Sequence, residues 1–314
     1  MATLRELVTG KGWDASQGII EEVSKLVPEL NFFDARTISG TTFKGLKLTS
    51  DPATGFRAIG NGIDASDEGY SLATYELAYL AGLVKRDKAA FEADPTGRDA
   101  ALARAATAVV RSGMKTLAAA IWYGDSTSKF SGVSALVKPA LVKDAGGTTA
   151  SAQTSVYLVG NNAQDTCGLV FNQDSKLLTA AELEWKEMLS TGANSKDMPV
   201  LYTDLGCWCG FAVLNSNSVG RIANLSATDS KGLTDALLAD AVTAYQKAND
   251  GLSPAAIFAP FSQIRALRAD RSTKVYNGPR DAKENLAANP ADFDGIPIIG
   301  TNAISETEAV WSAA

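Results

Sequence analysis

An alanine-rich stretch at 98–122 restricts the fold of this chain more than any other feature. It contains no proline, and small or apolar residues recur every three or four positions, which is the spacing of one helix face: Leu102, Ala106, Val109, Gly113 and Leu117. Helix start and stop signals flank the stretch at 94–96 and 124–125. It therefore predicts a rod of roughly 36 Å, and its small side chains require whatever packs on it to come close.

Residues 37–63 are predicted to form a long β-hairpin. Leu46 and Leu48 alternate with Lys47, which indicates a strand, and the residues from Asp51 to Gly55 supply a turn. The return strand is predicted at 55–63. A two-stranded hairpin is marginally stable by itself in water, so this one must lie on its own core or on a neighbouring chain.

The rest of the chain mixes apolar runs with amphipathic stretches and contains no internal repeat. Runs typical of buried strands occur at 155–159, 168–171, 207–214 (continuing through 216–225), 255–259 and 293–304. Helices are predicted at 183–189 and 233–249, and from Pro260 onward with Phe261, Ile264 and Leu267 facing inward. The segment 71–91 fits both periodicities and stays open. Together these elements indicate an α+β fold.

Charge and composition exclude several classes of function. The 314 residues include 29 Lys and Arg against 35 Asp and Glu, a net charge of −6, so the chain lacks the excess of cations that binding to nucleic acid or an anionic membrane requires. It contains no histidine, which excludes Ser-His-Asp catalysis and imidazole zinc sites. A carboxylate-dependent hydrolase stays open as an alternative, although no pair of acids is spaced to face each other.

Three cysteines, Cys167, Cys207 and Cys209, are too few for a disulfide framework. If 207–214 is a strand, Cys207 and Cys209 point to the same face, and burial as small apolar residues is favoured over metal or redox use. The N-terminal segment contains Glu6 and Asp14 and is not predicted to be a signal peptide. No apolar run approaches the ~20 residues of a membrane span.

The order of these elements resembles that of the GP7-like major capsid proteins of tailed phages, within the class built on the HK97 fold. The resemblance covers about 27–309 and rests on five strings: VPELNFFDARTISGTTFKGLKLTSDPATGFRAIGNGI, AAAIWYGDSTSKFSGVSALV, SVYLVG, GRIANL and FDGIPIIGTNAISETEA. It implies an N-terminal arm at 1–36 and an extended E-loop hairpin at 37–70. It further implies a peripheral (P) domain at 71–224 and 286–314, with a spine helix at 98–122, and an axial (A) domain at 225–285, all with approximate boundaries.

The resemblance also implies a function. It indicates a structural shell protein without a catalytic site, cofactor or metal. Copies would self-assemble as hexamers and pentamers into an icosahedral shell around phage double-stranded DNA, in the host cytoplasm, and end in the virion capsid. Scaffolding and portal proteins are the implied partners, with a decoration protein as a further one. An encapsulin-like nanocompartment shell and a tail or decoration protein stay open as alternatives.

The arm and the hairpin are expected to carry the contacts between subunits. The predicted assembly-interface residues are Trp13, Phe43, Lys44, Lys47, Asp51, Phe56 and Arg57. Trp13 has the alternative of folding back on its own domain. Lys–Asn crosslinks, which some members of the wider fold class form, are disfavoured for Lys44 and Lys47, because exposed strand lysines also protect a sheet edge from aggregation.

Overall fold

The described strands of the chain form two six-stranded sheets and a separate hairpin. The computed structural model describes residues 2–3, 27–50, 52–95, 97–160, 167–172, 184–191, 196–274 and 290–312. Among the described helices, none is long and apolar enough to cross a membrane.

The first sheet is organised around one long strand, β10. Its strands are β1 (Ala2–Thr3), β2 (Asp34–Ile38), β5 (Ala78–Asp87), β8 (Cys167–Asn172), β9 (Lys186–Thr191) and β10 (Asp197–Val213). They follow the order β1-β2-β8-β10-β5, with β9 also on β10. Residues 200–202 of β10 pair with both β5 and β9, and Cys209 pairs with both β5 and β8. β5 therefore lies on one side of β10, and β8 and β9 lie on the other. The hairpin strands β3 (Thr42–Ser50) and β4 (Gly69–Glu76) pair only with each other.

The short helices α1 (Glu29–Phe32) and α2 (Lys88–Glu92) precede the long helix α3 (Arg98–Tyr123), which packs on the inner face of this sheet. Gly97 precedes α3 with φ of 91°, a left-handed conformation that favours glycine. The buried face of the helix includes Val110, Met114 and Ile121. Cys207 and Cys209 form no disulfide with a described residue and are buried on the same inner face of β10, which confirms their prediction as small apolar residues.

The second sheet lies between two layers of apolar side chains. Its strands are β6 (Val142–Asp144), β7 (Thr154–Val159), β11 (Val219–Leu225), β12 (Ala256–Pro260), β13 (Asp292–Phe293) and β14 (Ile296–Thr301), in the order β13-β14-β12-β7-β11-β6. The helices α5 (Asp235–Ala248) and α6 (Phe261–Lys274) cover one face; the short helix α4 (Val133–Leu136) follows α3. Along β7, Val156 and Leu158 belong to the core beneath α5 and α6, whereas Tyr157 and Val159 belong to the core shared with α3.

An aromatic cluster joins the two sheets where α1, α3, β10 and β12 meet. The Phe33 ring lies edge-on to Phe211, with centroids 4.9 Å apart, and the Trp122 ring stacks on Tyr157 at 4.8 Å. Phe258 also contacts Trp122. Such aromatic pairs contribute about 0.5–1.5 kcal/mol each beyond the burial of their area, so this cluster is the centre of the main core.

Most sequence predictions of the elements are confirmed. The long helix exceeds its predicted end by one residue, and the strands predicted at 155–159, 168–171, 207–214, 255–259 and 293–304 and the helix at 233–249 correspond to β7, β8, part of β10, β12, β14 and α5. The open segment 71–91 is mostly strand. The division into arm, P domain and A domain stays a prediction.

Four predictions are wrong. No strand forms at 55–63, where two glycines interrupt the alternation, and the return strand is β4. Most of the helix predicted at 183–189 is replaced by β9, because β10 offers it a partner. The run 216–225 does not continue β10 but turns into β11 of the second sheet. Phe261 is 56% exposed, whereas Ile264 and Leu267 of the same helix are buried as predicted.

Candidate assembly interface

Among the described residues, the contacts that anchor the hairpin to the body of the protein lie at its root. Tyr75 on β4 donates a hydrogen bond from its hydroxyl to the backbone oxygen of Val213. Phe43 stacks on Tyr75 with ring centroids 6.3 Å apart, and both pack on Leu77 and on the outer face of the first sheet. The Arg36 guanidinium carbon lies 5.3 Å from the Phe43 ring centre.

Glycine at position 45 lets the root come close to the sheet. A Cβ atom on Gly45 would lie 2.1 Å from Cδ2 of Leu214. The backbone of β3 and the Leu214 side chain are therefore in direct contact, and any side chain at position 45 would separate them.

The opposite face of the hairpin carries exposed apolar side chains. Leu46 and Leu72 are directly paired across the two strands, and Tyr70, two residues before Leu72 in β4, lies on the same face. Their exposed fractions are 64% for Leu46, 60% for Leu72 and 55% for Tyr70. We call Leu46, Tyr70 and Leu72 the apolar hairpin face. Contiguous apolar side chains on a soluble protein mark a surface that another molecule covers.

The loop between the two strands is exposed throughout 52–68 and contains neither helix nor strand. Its turn is held by a hydrogen bond from Arg57 Nη1 to the backbone oxygen of Asn61, at 2.7 Å. Nearer the strands, the Ser66 hydroxyl oxygen accepts from the backbone N–H of Ala53 at 2.6 Å. Phe56 and Ile59 project from this loop fully exposed. A large aromatic ring held in water costs free energy that contact with a partner would recover.

The structure brings together some of the residues that the sequence singled out. Phe56 and Arg57 lie at the tip, and Lys44 is exposed on the same face as the apolar hairpin face. Phe43 is half-buried at the root and packs within its own chain. Lys47 lies in β3. Trp13, Asp51 and the side chain of Lys47 fall outside the described residues.

Sequence reasoning did not include four exposed apolar residues of the hairpin among the candidates for the interface: Leu46, Ile59, Tyr70 and Leu72. Tyr70 and Leu72 belong to β4, which the sequence did not identify as the return strand. Their position opposite β3 depends on the register of pairing, and no local signal in the sequence specifies that register.

Two buried carboxyl groups outside the hairpin hold the body together. Glu308 accepts hydrogen bonds from the hydroxyls of Tyr123 and Ser155 and from Arg221 Nη2, the last at 2.7 Å. Burial, followed by the nearby Tyr157 and Glu308, raises the pKa of Tyr123 far above its usual value. Tyr123 therefore stays protonated as a donor. The set ties the C-terminal segment to α3 and to the second sheet.

Glu29 is the other buried carboxyl group. Its Oε1 accepts from Trp122 Nε1 at 3.0 Å and from the Thr301 hydroxyl. Burial raises its pKa, and the two hydrogen bonds oppose that rise. Both oxygens of Glu308 accept hydrogen bonds, whereas Glu29 accepts at Oε1 alone and its Oε2 is buried without a hydrogen-bond partner among the described residues. In the described part of the chain, no group of three or more His, Cys, Asp or Glu residues is placed to hold a metal ion.

The comparisons with known proteins identify the class of assembly. The family model described as "Major capsid protein GP7" matches residues 16–312. The chain belongs to this family of major capsid proteins. The capsid protein is therefore a structural subunit of a phage shell, as the sequence resemblance predicted, and its place is the virion capsid, where copies associate into capsomers. A search of the curated proteins finds no match.

Solved structures show the fold of the capsid protein. A near-atomic resolution structure of bacteriophage epsilon15 is 16% identical in sequence and has a TM-score of 0.62; the match covers 90% of this chain and 88% of that one. The capsid of bacteriophage JBD30 is 14% identical with a TM-score of 0.48, covering 86% of this chain and 88% of that one. The likeness to epsilon15 shows the HK97-like α+β fold.

Proposed function

We propose that the hairpin β3–β4 is the part of the capsid protein that lies across a neighbouring copy in the shell. The observation that carries this proposal is the apolar hairpin face: Leu46, Tyr70 and Leu72 are exposed on one side, while the other side is anchored at its root. The tip adds Phe56 and Ile59. Contact with a second copy would remove the apolar surface of this projecting element from water, which is energetically favourable.

The free energy available is sufficient to influence assembly. Burying one large apolar side chain contributes about 1.5–3 kcal/mol, so Phe56 and Ile59 together could contribute roughly 3–6 kcal/mol per subunit. Because a closed shell repeats the same contact many times, a modest loss in each copy decides whether shells form.

Other parts of the proposal concern the partners and the domains. The arm at 1–36 would add to the contacts between subunits, and copies would form hexamers and pentamers that enclose double-stranded DNA. We propose separate scaffolding and portal proteins and assembly in the host cytoplasm, with a decoration protein as a further partner. The P and A domains would occupy 71–224 with 286–314 and 225–285. Because α5 and α6 cover a sheet that includes β6, β7 and β11, we extend the axial unit to those strands.

The test of the hairpin compares tip variants in the full-length chain. Phe56→Ser/Ile59→Ser should abolish closed particles, whereas Thr54→Ser in the same exposed loop should leave them unchanged. The chains are produced together with the other assembly genes of the phage, separated by size-exclusion chromatography and observed by negative-stain electron microscopy. We also expect a chain without 1–27, or one shortened within 44–59, to fold without closing shells. Normal particles from the Phe56→Ser/Ile59→Ser chain would contradict the role of the hairpin.

A further inference from the structure

One edge of β5 is open and borders a groove. β10 pairs with one edge of β5 over residues 78–87, and in the described part of the chain no strand pairs with the other edge. A groove of about 350 Å³ lies between β5 and α3. It touches every residue from 80 to 84, and because side chains alternate between the two faces of a strand, it must run along the open edge. On the helix it is lined by small residues such as Ala108 and Gly113.

The helix side of this groove carries two cations. Arg111 and Lys115 are exposed, and each precedes a residue that lines the groove, Ser112 or Thr116. Neither forms an ion pair with another described residue. Residues 100–123 of α3 contain no Asp or Glu, although the chain as a whole is acidic. Like charges one turn apart repel each other on a helix, so an external acidic group would relieve this pair.

The hairpin loop contains a segment with the complementary properties. Residues 61–68 are all exposed and belong to no strand. They include Asp64, Asp67 and Glu68 and no Lys or Arg, and these acids form no ion pair with a described residue. In extended form, 63–68 would span about 20 Å and the groove segment 80–84 about 17 Å. The acidic segment is therefore long enough to cover 80–84, and its charge is opposite to that of Arg111 and Lys115 beside the groove.

We propose that residues 61–68 of one copy add as a strand to the open edge of β5 in a neighbouring copy. Backbone hydrogen bonds would pair the segment with β5, as in other cases of strand addition. Asp64 and Glu68, which share one face of an extended segment, would face Arg111 and Lys115, and Asp67 would point to the other side. The contact is heterologous, because it joins different surfaces of two identical chains. This inference rests on the proposed role of the hairpin and names the surface that receives its loop.

A charge exchange in the full-length chain tests the pairing. Arg111→Glu/Lys115→Glu and, separately, Asp64→Lys/Asp67→Lys/Glu68→Lys should each lower the yield of particles about tenfold or more, since like charges facing each other at an interface are strongly unfavourable. The chain with both sets of substitutions should recover most of the yield. Lys247→Glu/Arg265→Glu, on exposed positions of α5 and α6, is the control for net charge and should assemble normally.

A crosslink with the native charges gives an independent measurement. Ser66→Cys, on the same strand face as Asp64 and Glu68, combined with Ser112→Cys should produce a ladder of disulfide-linked oligomers from oxidised particles on a non-reducing gel. Ser66→Cys combined with Ala100→Cys, at the far end of α3, should give monomers. Because this variant keeps every charge, it tests the contact even if a charge-reversed chain fails to fold.

The outcomes separate this inference from the proposal on which it rests. Normal assembly of the Arg111→Glu/Lys115→Glu chain, failure of the combined chain to recover, or a crosslink found only within monomers would each overturn the docking of 61–68. If the Phe56→Ser/Ile59→Ser chain still fails to form shells in those cases, the role of the hairpin stands and only the receiving surface is wrong. If hairpin variants assemble normally, both are wrong.

Discussion

Replacing Glu308 by leucine should destabilise the capsid protein severely. The side chains of Arg221 and Glu308 are only 10% and 7% exposed, and their ion pair measures 2.7 Å. The substitution removes the acceptor for Arg221 Nη2, Tyr123 and Ser155 and leaves the guanidinium charge buried without its charged partner, although Arg221 Nε still donates to Ser155 Oγ at 2.9 Å. Removing one member of a buried pair costs about 3–5 kcal/mol, a large part of the 5–15 kcal/mol by which a domain is typically stable.

The measurement is urea unfolding of the unassembled chain, with the free energy of unfolding extrapolated to water. The matched control is Arg221→Met/Glu308→Leu, which removes both charges and should lose much less stability than Glu308→Leu alone, because no charge stays buried. A loss below about 1 kcal/mol for Glu308→Leu, the scale of an exposed pair, would refute the reasoning. A double variant as unstable as the single one would refute it as well.

Three further expectations follow from single side chains. Burial raises the pKa of Glu29 in the folded protein. The contribution of Glu29 to stability is therefore complete below the unfolded pKa, and it falls by about 1.4 kcal/mol per pH unit as the pH rises toward the folded pKa. When the free energy of urea unfolding is measured from pH 4.5 upward, Glu29→Gln should lack this decrease, and the same pH dependence in both proteins would contradict the prediction. Gly45→Val, with its Cβ 2.1 Å from Leu214, should loosen the hairpin and speed proteolysis within 52–68, while Gly55→Ala, in open space, should not. Thr234, whose hydroxyl accepts from the Leu237 N–H at 3.3 Å, caps α5, and Thr234→Ala should cost about 1 kcal/mol in the same unfolding assay, whereas Thr234→Ser should cost little.

The elements of the fold that could be predicted from the sequence were those in which one pattern of burial continues along the whole element. β7 is buried at every position, so it reads as an unbroken apolar run, and α3 repeats its small residues on one face over 26 residues. β9 was missed because it is largely exposed and owes its form to pairing with β10, a partner distant in sequence. Long-range pairing of this kind leaves no local periodicity.

The candidate interface was predictable in place but not in detail. Turn signals and alternation indicated a hairpin near Lys44 and Phe56, but the residues 51–55 suggested a tight turn where the chain instead makes a loop through 52–68. Gly60 and Gly62 were included in a predicted strand because apolar residues near them alternate. The exposure of Leu46 and Leu72 depends on which residues face each other across the hairpin, and that is a property of the folded pair.

The course of the chain from the hairpin into β5 also has a mechanical consequence. β4 continues through Leu77 into β5, which is paired with β10 over all of 78–87. In the proposed assembly, tension on a hairpin held by a neighbouring copy would enter β5 at its first residue. A pull along the strand direction loads the hydrogen bonds of this ladder in shear, all together, whereas a pull across it would open them one at a time. The strand that continues from the hairpin would thus carry the load that resists separation of neighbouring subunits in the shell.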